Sequence, residues 1–205
     1  MRVSRAQAEE NRRTVIEAAG RLFRERGFEG VGLNDLMGAA GLTQGGFYKQ
    51  FRSKDDLAAQ ACDRVLADST ERLTQLVKSS GENALATIIS RYLSFEHRDQ
   101  IADGCIFPAL GPDAARHSPE LIRSFETGIR SYLDVIERAA QASSDQRAES
   151  DPAVVLSTMV GALVLSRVAE DQTLSARILD SAINSLLNRN RSDRPEVDTV
   201  DQGRS

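Results

Sequence analysis

Four times along this chain a small polar side chain stands immediately before an apolar stripe of helical period. They are Ser4 with Gln7 three residues on, Ser53 with Asp56, Ser118 before Pro119 and Glu120, and Asp151 before Pro152. Each is a helix start: a side-chain oxygen accepts from a first-turn amide, an acid or amide at the third position can reach back, and proline at the first position gives up an N–H that has no partner anyway. Runs in which β-branched and polar residues alternate over strand lengths are rare, tryptophan is absent and prolines number only 5. Periodicity and punctuation together predict an all-α fold.

The helical segments expected from this pattern are Ser4 to Gly27, Leu33 to Ala40, a short one after Thr43, and a long one from Lys54 to about Val77. Beyond the break Lys78–Asn83 come patterns at about 83–97, 119–142, 152–170 and 174–188. Residues 98–117, interrupted by Gly104, Pro108, Gly111 and Pro112, read as irregular. The end, NRNRSDRPEVDTVDQGRS, is polar and reads as a disordered tail over 191–205.

A chain of 205 residues with 40% hydrophobic content suits one or two compact domains. Its net charge of −4 conceals an asymmetry, because residues 1–54 hold ten Lys and Arg against six Asp and Glu. Positive charge is thus concentrated at the N-terminal end, the first hint of a polyanionic partner there. The start has no signal-peptide core and no run of 18 apolar residues occurs, so a cytoplasmic protein without a membrane partner is expected. Cys62 and Cys105 lack paired spacing, which disfavours both a disulfide framework and a zinc site. His97 and His117 have no partner at metal or catalytic spacing, and His117, just before the Ser118 cap, is expected to be exposed. No catalytic residue, metal or cofactor is predicted.

Leu33 to Phe51 carries the chemistry. Two short helices with inward positions Leu36, Ala40, Leu42, Phe47 and Phe51 are joined by a glycine turn, the helix-turn-helix pattern whose second helix enters the major groove. Gln44, Gly45, Tyr48 and Lys49 are left facing out. Glutamine pairs with adenine, lysine with guanine or phosphate, and a tyrosine hydroxyl with phosphate. The adjacent glycines Gly45 and Gly46 cost roughly 1 kcal/mol each relative to alanine in a helix. Without Cβ atoms, that first turn admits a DNA backbone or base edge at close range. Lys54 is placed for a further phosphate. Arg2 and Arg5 suit either a DNA-reaching arm or a solvated terminus, and the sequence leaves both open.

From about Thr14 to Leu57 the run GFEGVGLNDLMGAAGLTQGGFYKQFRSKDDL resembles the DNA-binding domain of the TetR family of bacterial transcriptional repressors. The glycine after helix one, the alanine-glycine turn, Phe47-Tyr48, Phe51 and the Ser53-Lys54 helix start carry the likeness. Two positions depart from it: Gly32 stands where Thr or Ser commonly caps helix two, and Met37 where alanine is common. The resemblance implies about nine helices, a DNA-binding domain over 1–57, an effector-binding and dimerisation domain over 58–190, a homodimer, and a two-fold symmetric duplex operator. It carries DNA contact onto Thr43, Gln44, Gly45, Gly46, Tyr48, Lys49 and Lys54, and implies a small-molecule effector whose binding rotates the two DNA-binding domains away from their half-sites.

The segment HRDQIADGCIFPALGPDAAR resembles a subgroup of that family in which a glycine-cysteine pair opens the sixth helix and, in some members, the cysteine responds to electrophiles or oxidants. On its own terms Cys105 reads as a small core residue, with no Lys or Arg close in sequence to lower its pKa. Tyr92, Phe95, Cys105, Phe107, Phe125 and Tyr132 are the candidate lining of an effector cavity, although aromatics at helical spacing also make plain core. The last two helices of the family form the dimer interface, which points to Met159, Leu163, Ile183 and Leu186. A helical protein-interaction adaptor or small helical enzyme with an incidental helix-turn-helix is the competing reading. An enzyme would need a His, Cys or paired-carboxylate constellation that the spacing does not offer.

Overall fold

The computed structural model describes residues 4–143 and 151–187. Among them are nine α-helices and no strand: α1 Arg5–Arg26, α2 Leu33–Ala39, α3 Lys54–Ser80, α4 Ala84–Tyr92, α5 Phe95–Asp99, α6 Ile106–Ala114, α7 Pro119–Gln141, α8 Pro152–Val168 and α9 Gln172–Leu186. Two 3-10 segments, Gln44–Lys49 and Gly81–Asn83, interrupt the series. The expected tail and Arg2 lie outside the described residues, and Arg5 opens α1.

The caps work, with local variations. Ser4 Oγ accepts from the Gln7 amide at 3.1 Å, but the Gln7 side chain reaches Asn11 instead of returning to the cap. Ser53 Oγ accepts from the Asp56 amide at 3.0 Å, while the Asp56 carboxylate overshoots to the Arg52 amide at 2.9 Å. At α2 glycine offers no oxygen, yet Asp35 still accepts from the Gly32 amide at 3.1 Å, so half of the box survives without the usual hydroxyl. Ser118 and Asp151 cap α7 and α8 ahead of their prolines.

Several boundaries differ from the expectation, each for a local reason. The long helix α3 runs through Lys78 to Ser80 and stops only at Gly81, which takes the left-handed φ of +51°. The pattern at 83–97 breaks in two because Ser94 caps a new helix, accepting from the His97 amide at 3.1 Å. Within the stretch read as irregular, α6 forms from Ile106 to Ala114 with Pro112 inside it. Pro108 lies in its first turn, where an amide has no intrahelical acceptor to lose. His117 is half-buried, not exposed: its ring meets Phe28 edge-on at 4.8 Å and its Nε2 lies 3.9 Å from Glu29.

The frame is the α3–α7 pair, packed so closely that a Cβ on Gly128 would come within 2.5 Å of Leu66. α1 packs on α3, α2 on α1 and the Gln44–Lys49 segment on α2, with Phe23, Leu36, Met37, Phe47, Phe51 and Leu57 buried among them. α4 and α6 pack on α3, α5 bridges α4 and α8, and α8 meets α7 and α9 on the far side. Because α3 runs from Lys54 to Ser80, the expected boundary at 57/58 falls inside a continuous helix.

Candidate nucleic-acid interface and cavity

The turn before the outward-facing segment is a Schellman cap. Gly41, at φ +69°, sends its amide to Gly38 O at 2.9 Å, and the Leu42 amide reaches Met37 O at 2.9 Å. The chain then enters Gln44–Lys49 as a 3-10 helix rather than the ordinary helix that its pattern suggested. Thr43 is its cap residue, yet the threonine side chain bonds no amide; the Thr43 carbonyl accepts from Gly46 N at 3.1 Å and tightens the turn.

Phe47 holds this segment down. It is fully buried, 5.5 Å from the Phe51 ring, and Tyr48 stands edge-on to it at 5.2 Å while remaining 73% exposed. Truncating Phe47 to alanine would cost about 3–5 kcal/mol, the usual penalty for emptying an aromatic core site. Met37 serves the same end, since its ε-methyl lies 3.5 Å from where a Gly46 Cβ would be. The larger side chain in place of a common alanine is thus a floor under the turn.

Thr43, Gln44, Gly45, Tyr48 and Lys49 are exposed together on one surface, and Gly46 is half-buried beside them. Lys54 is set apart: it is half-buried, with Nζ 4.0 Å from Glu29. Neither glycine is demanded by the protein itself. A Cβ at Gly45 would meet nothing within 4 Å, a Cβ at Gly46 only ordinary contact with Met37, and neither residue has a positive φ.

A second site lies where α3, α4, α5, α6 and α7 meet. It is a cavity of about 460 Å³, open to solvent, with Leu73, Leu76 and Ile88 as apolar wall and Ser69, Tyr92 and Tyr132 among its polar lining. Of the six residues expected to line a cavity, Tyr92, Cys105 and Tyr132 do so. Phe107 and Phe125 stand behind the lining, with Phe107 edge-on to Tyr132 at 5.0 Å and to Phe125 at 6.0 Å. Phe95 is 46% exposed on α5, under the Arg98 guanidinium at 4.6 Å.

Cys105 caps α6 and is buried, and burial pushes its thiol above the ordinary value. The cations around it come from remote helices, Arg24 on α1 and Arg167 on α8, which is why no neighbour in the sequence betrayed them. His97 bolts the region together. Its Nδ1 donates to Tyr92 O at 2.7 Å and its Nε2 accepts from the Cys105 amide at 3.0 Å, which fixes the neutral tautomer. Burial lowers its pKa accordingly. Arg167 in turn donates to His97 O and Arg98 O, and Arg98 reaches Gln172 and Ser175 on α9. The other edge of the loop is tied to α1 by Arg21 on Asp103 and by Arg24 Nε on Ala102 O at 2.6 Å. Ser69, Arg72, Arg91 and His97 were missed by sequence reasoning because they converge from three separate helices.

On α8 and α9, Met159, Leu163 and Leu186 are buried within the protomer and Ile183 is half-buried. The three buried residues therefore serve the protomer's own core. Val154, Leu165 and Val168 are the large apolar residues that α8 leaves exposed, with Leu174 at the start of α9. With Thr158 and Gly161 between them, the α8 residues follow alternating four- and three-residue steps, a seam of coiled-coil spacing.

The family model for bacterial regulatory proteins of the tetR family matches residues 15–61, which contain α2, the turn and the Gln44–Lys49 segment. That segment is a tetR-family domain. Its DNA-binding role as a transcriptional regulator of this family agrees with its relatives. The chain is 26% identical over 135 residues to the HTH-type transcriptional repressor NemR of Escherichia coli K12, covering 64% of this chain and 68% of that one. The reduced form of E. coli NemR superposes with a TM-score of 0.74 at 22% identity, over 87% of this chain and 96% of the other. The HTH-type transcriptional regulator LmrA of Bacillus subtilis is 24% identical over 186 residues, covering 88% and 98%. AibR, solved in complex with isovaleryl coenzyme A and operator DNA, shares the tetR-family fold with a TM-score of 0.57 at 19% identity, over 86% and 97%. No helix among the described residues is long and apolar enough to cross a membrane.

Proposed function

We propose that this protein is a homodimeric tetR-family repressor that holds a two-fold symmetric operator until a small molecule enters the cavity beneath α4–α6. Each protomer presents Thr43, Gln44, Gly45, Gly46, Tyr48 and Lys49 to a major groove, with Lys54 toward the backbone once Glu29 releases it. The observation that carries this reading is the pair of glycines: neither backbone conformation nor internal packing requires them, while the surface they lie on exposes the side chains suited to bases and phosphates. Glycine there keeps a first turn clear for something outside the protein. The names of NemR and of AibR's operator complex support repression and DNA contact in relatives of this fold.

The division of labour is residues 1–57 for DNA and 58–190 for effector and dimer. The dimer forms through the exposed face of α8, Val154, Gly161, Leu165 and Val168, joined by Leu174 at the start of α9; near the far end of α9, Ile183 is the one expected residue still part-exposed. Effector entry shifts the loop between α5 and α6, and Arg21 and Arg24 pass the shift to α1. That is a two-state device biased by differential affinity of a few kcal/mol.

Selection of bound sequences by the purified protein from a random duplex pool, at low and at moderate salt, tests the reading. Enrichment of a palindromic motif whose affinity falls steeply with salt supports it. Failure to enrich any motif at either salt would return the protein to the adaptor class.

A further inference from the structure

The cavity's inner end gathers hydroxyls that can donate. The hydroxyls of Tyr92 and Tyr132 both face the Cys105 thiol, and Ser69 adds a third hydroxyl. Tyr92 is 7% exposed, and its hydroxyl is buried without a well-formed hydrogen bond. A buried hydroxyl left so costs about 1–3 kcal/mol, a deficit that an acceptor from outside would remove.

Charge points the same way. Arg72 and Arg91 line the cavity, and Arg24 and Arg167 act on its inner end from either side. Among the described residues none of these four guanidiniums makes an ion pair. Arg24 and Arg167 donate to backbone carbonyls, and Arg72 donates to Ser69 Oγ at 2.9 Å. Of the two acids of the lining, Asp103 is ion-paired with Arg21, while Glu96 accepts only from the neutral Gln100 side-chain amide at 3.3 Å, so the two lining cations face one unpaired acid. The buried Cys105 thiol, held neutral, supplies no compensating negative charge. Arg72 and Arg91 are exposed at the rim while Arg24 is buried and Arg167 half-buried behind the inner end, and cations that lack a carboxylate in ion-pair contact favour an anion over a cation as guest. Opposite them, Leu73, Leu76 and Ile88 offer a wall with no polar partner to give.

We infer that the cavity takes a small amphipathic carboxylate, its head on Tyr92, Tyr132 and Arg72 and a short aliphatic body against Leu73, Leu76 and Ile88. This rests on the proposed role of the cavity as the effector site and names the chemistry of the effector. A volume of about 460 Å³ suits a guest of small-metabolite size.

The probes are hexanoate, hexan-1-ol and hexylamine, which share one chain length and differ in the head alone. Titration calorimetry on the intact protein without DNA should show hexanoate binding at least tenfold tighter than hexan-1-ol, with hexylamine weakest. Tyr92→Phe should weaken hexanoate roughly tenfold, as loss of a hydrogen bond to a charged group does. Arg72→Gln, at an exposed position where the fold does not depend on it, should remove the preference for acid over alcohol while circular dichroism stays unchanged. Equal or tighter binding of hexylamine, no binding of any probe, or a hexanoate affinity indifferent to both substitutions would overturn the inference. The duplex selection fails or succeeds independently of these titrations, so loss of the repressor reading and loss of the ligand class are told apart.

Discussion

Arg24 of α1 donates from Nε to the carbonyl of Ala102 at 2.6 Å, tying a helix of the DNA-binding end to the loop that borders the cavity. Arg24 is 8% exposed, no carboxylate is in ion-pair contact with it, and its Nη1 is unpaired, an arrangement that packing alone would not favour. Arg24→Gln should therefore loosen the loop first. Amide exchange over residues 100–105 should speed by about tenfold or more while that of α9 stays unchanged, as read by hydrogen–deuterium exchange mass spectrometry. Unaltered protection of the loop would mean that the bond carries no coupling.

Gly45→Ala separates the protein's needs from its partner's. The added methyl meets nothing within 4 Å, so denaturation should show unchanged stability or a gain of up to about 1 kcal/mol. Affinity for the selected operator should fall at least tenfold. A mutant that binds as well as the parent would show that nothing approaches that turn.

Lys49→Ala tests the charge at the end of the same segment. With one phosphate contact gone, binding should weaken across sequences and the log-log salt slope should shrink by about one. An unchanged slope would put Lys49 off the backbone.

Leu165→Glu, alone or with Val168→Glu, places charge on side chains that are 56% and 75% exposed in the protomer. Helix content should persist and the dimer should dissociate, as sedimentation equilibrium would record. A matching change at Met159, which is buried, should instead cost the fold itself. A dimer that survives Leu165→Glu would move the interface elsewhere.

His97 sets a pH limit. Burial lowers its folded pKa below the ordinary 6.5, so the unfolded chain takes up the proton more readily. Its contribution is full above about pH 6.5 and is lost as pH falls below that, when a charged Nε2–H would confront the Cys105 amide. Urea melts between pH 7.5 and 5.5 should show a decline of at most about 1.4 kcal/mol per pH unit, the slope of one proton. Asp56 and Asp99, whose pKa values are lowered, titrate below this window. His97→Gln should flatten the decline; a decline that survives would belong to another group.

How much of this was readable follows from where each signal is stored. Caps are local, so Ser53, Ser118 and Asp151 announced their helices, and the inward set Leu36, Phe47 and Phe51 announced the helix-turn-helix. Gln44–Lys49 winding as a 3-10 helix was not announced, because the choice depends on the Thr43 carbonyl taking the Gly46 amide above a floor of Met37. On α8 two apolar faces share one helix, Val155, Met159 and Leu163 inward and Val154, Leu165 and Val168 outward. Periodicity finds both faces but cannot say which one the protomer keeps. The cavity was half legible: Tyr92 and Tyr132 stood out, while its arginines come together only where α3 and α4 meet, and the His97 bolt only where α5, α8 and the loop before α6 meet.

The three tyrosines are divided between the two sites, Tyr48 on the outward turn and Tyr92 and Tyr132 in the cavity, and the chain has no tryptophan. Intrinsic tyrosine emission of the unlabelled protein thus arises only at the two places proposed to take ligands. A Tyr48→Phe chain would glow from the cavity alone, and a Tyr92→Phe, Tyr132→Phe chain from the turn alone, giving each binding event its own optical channel without a dye.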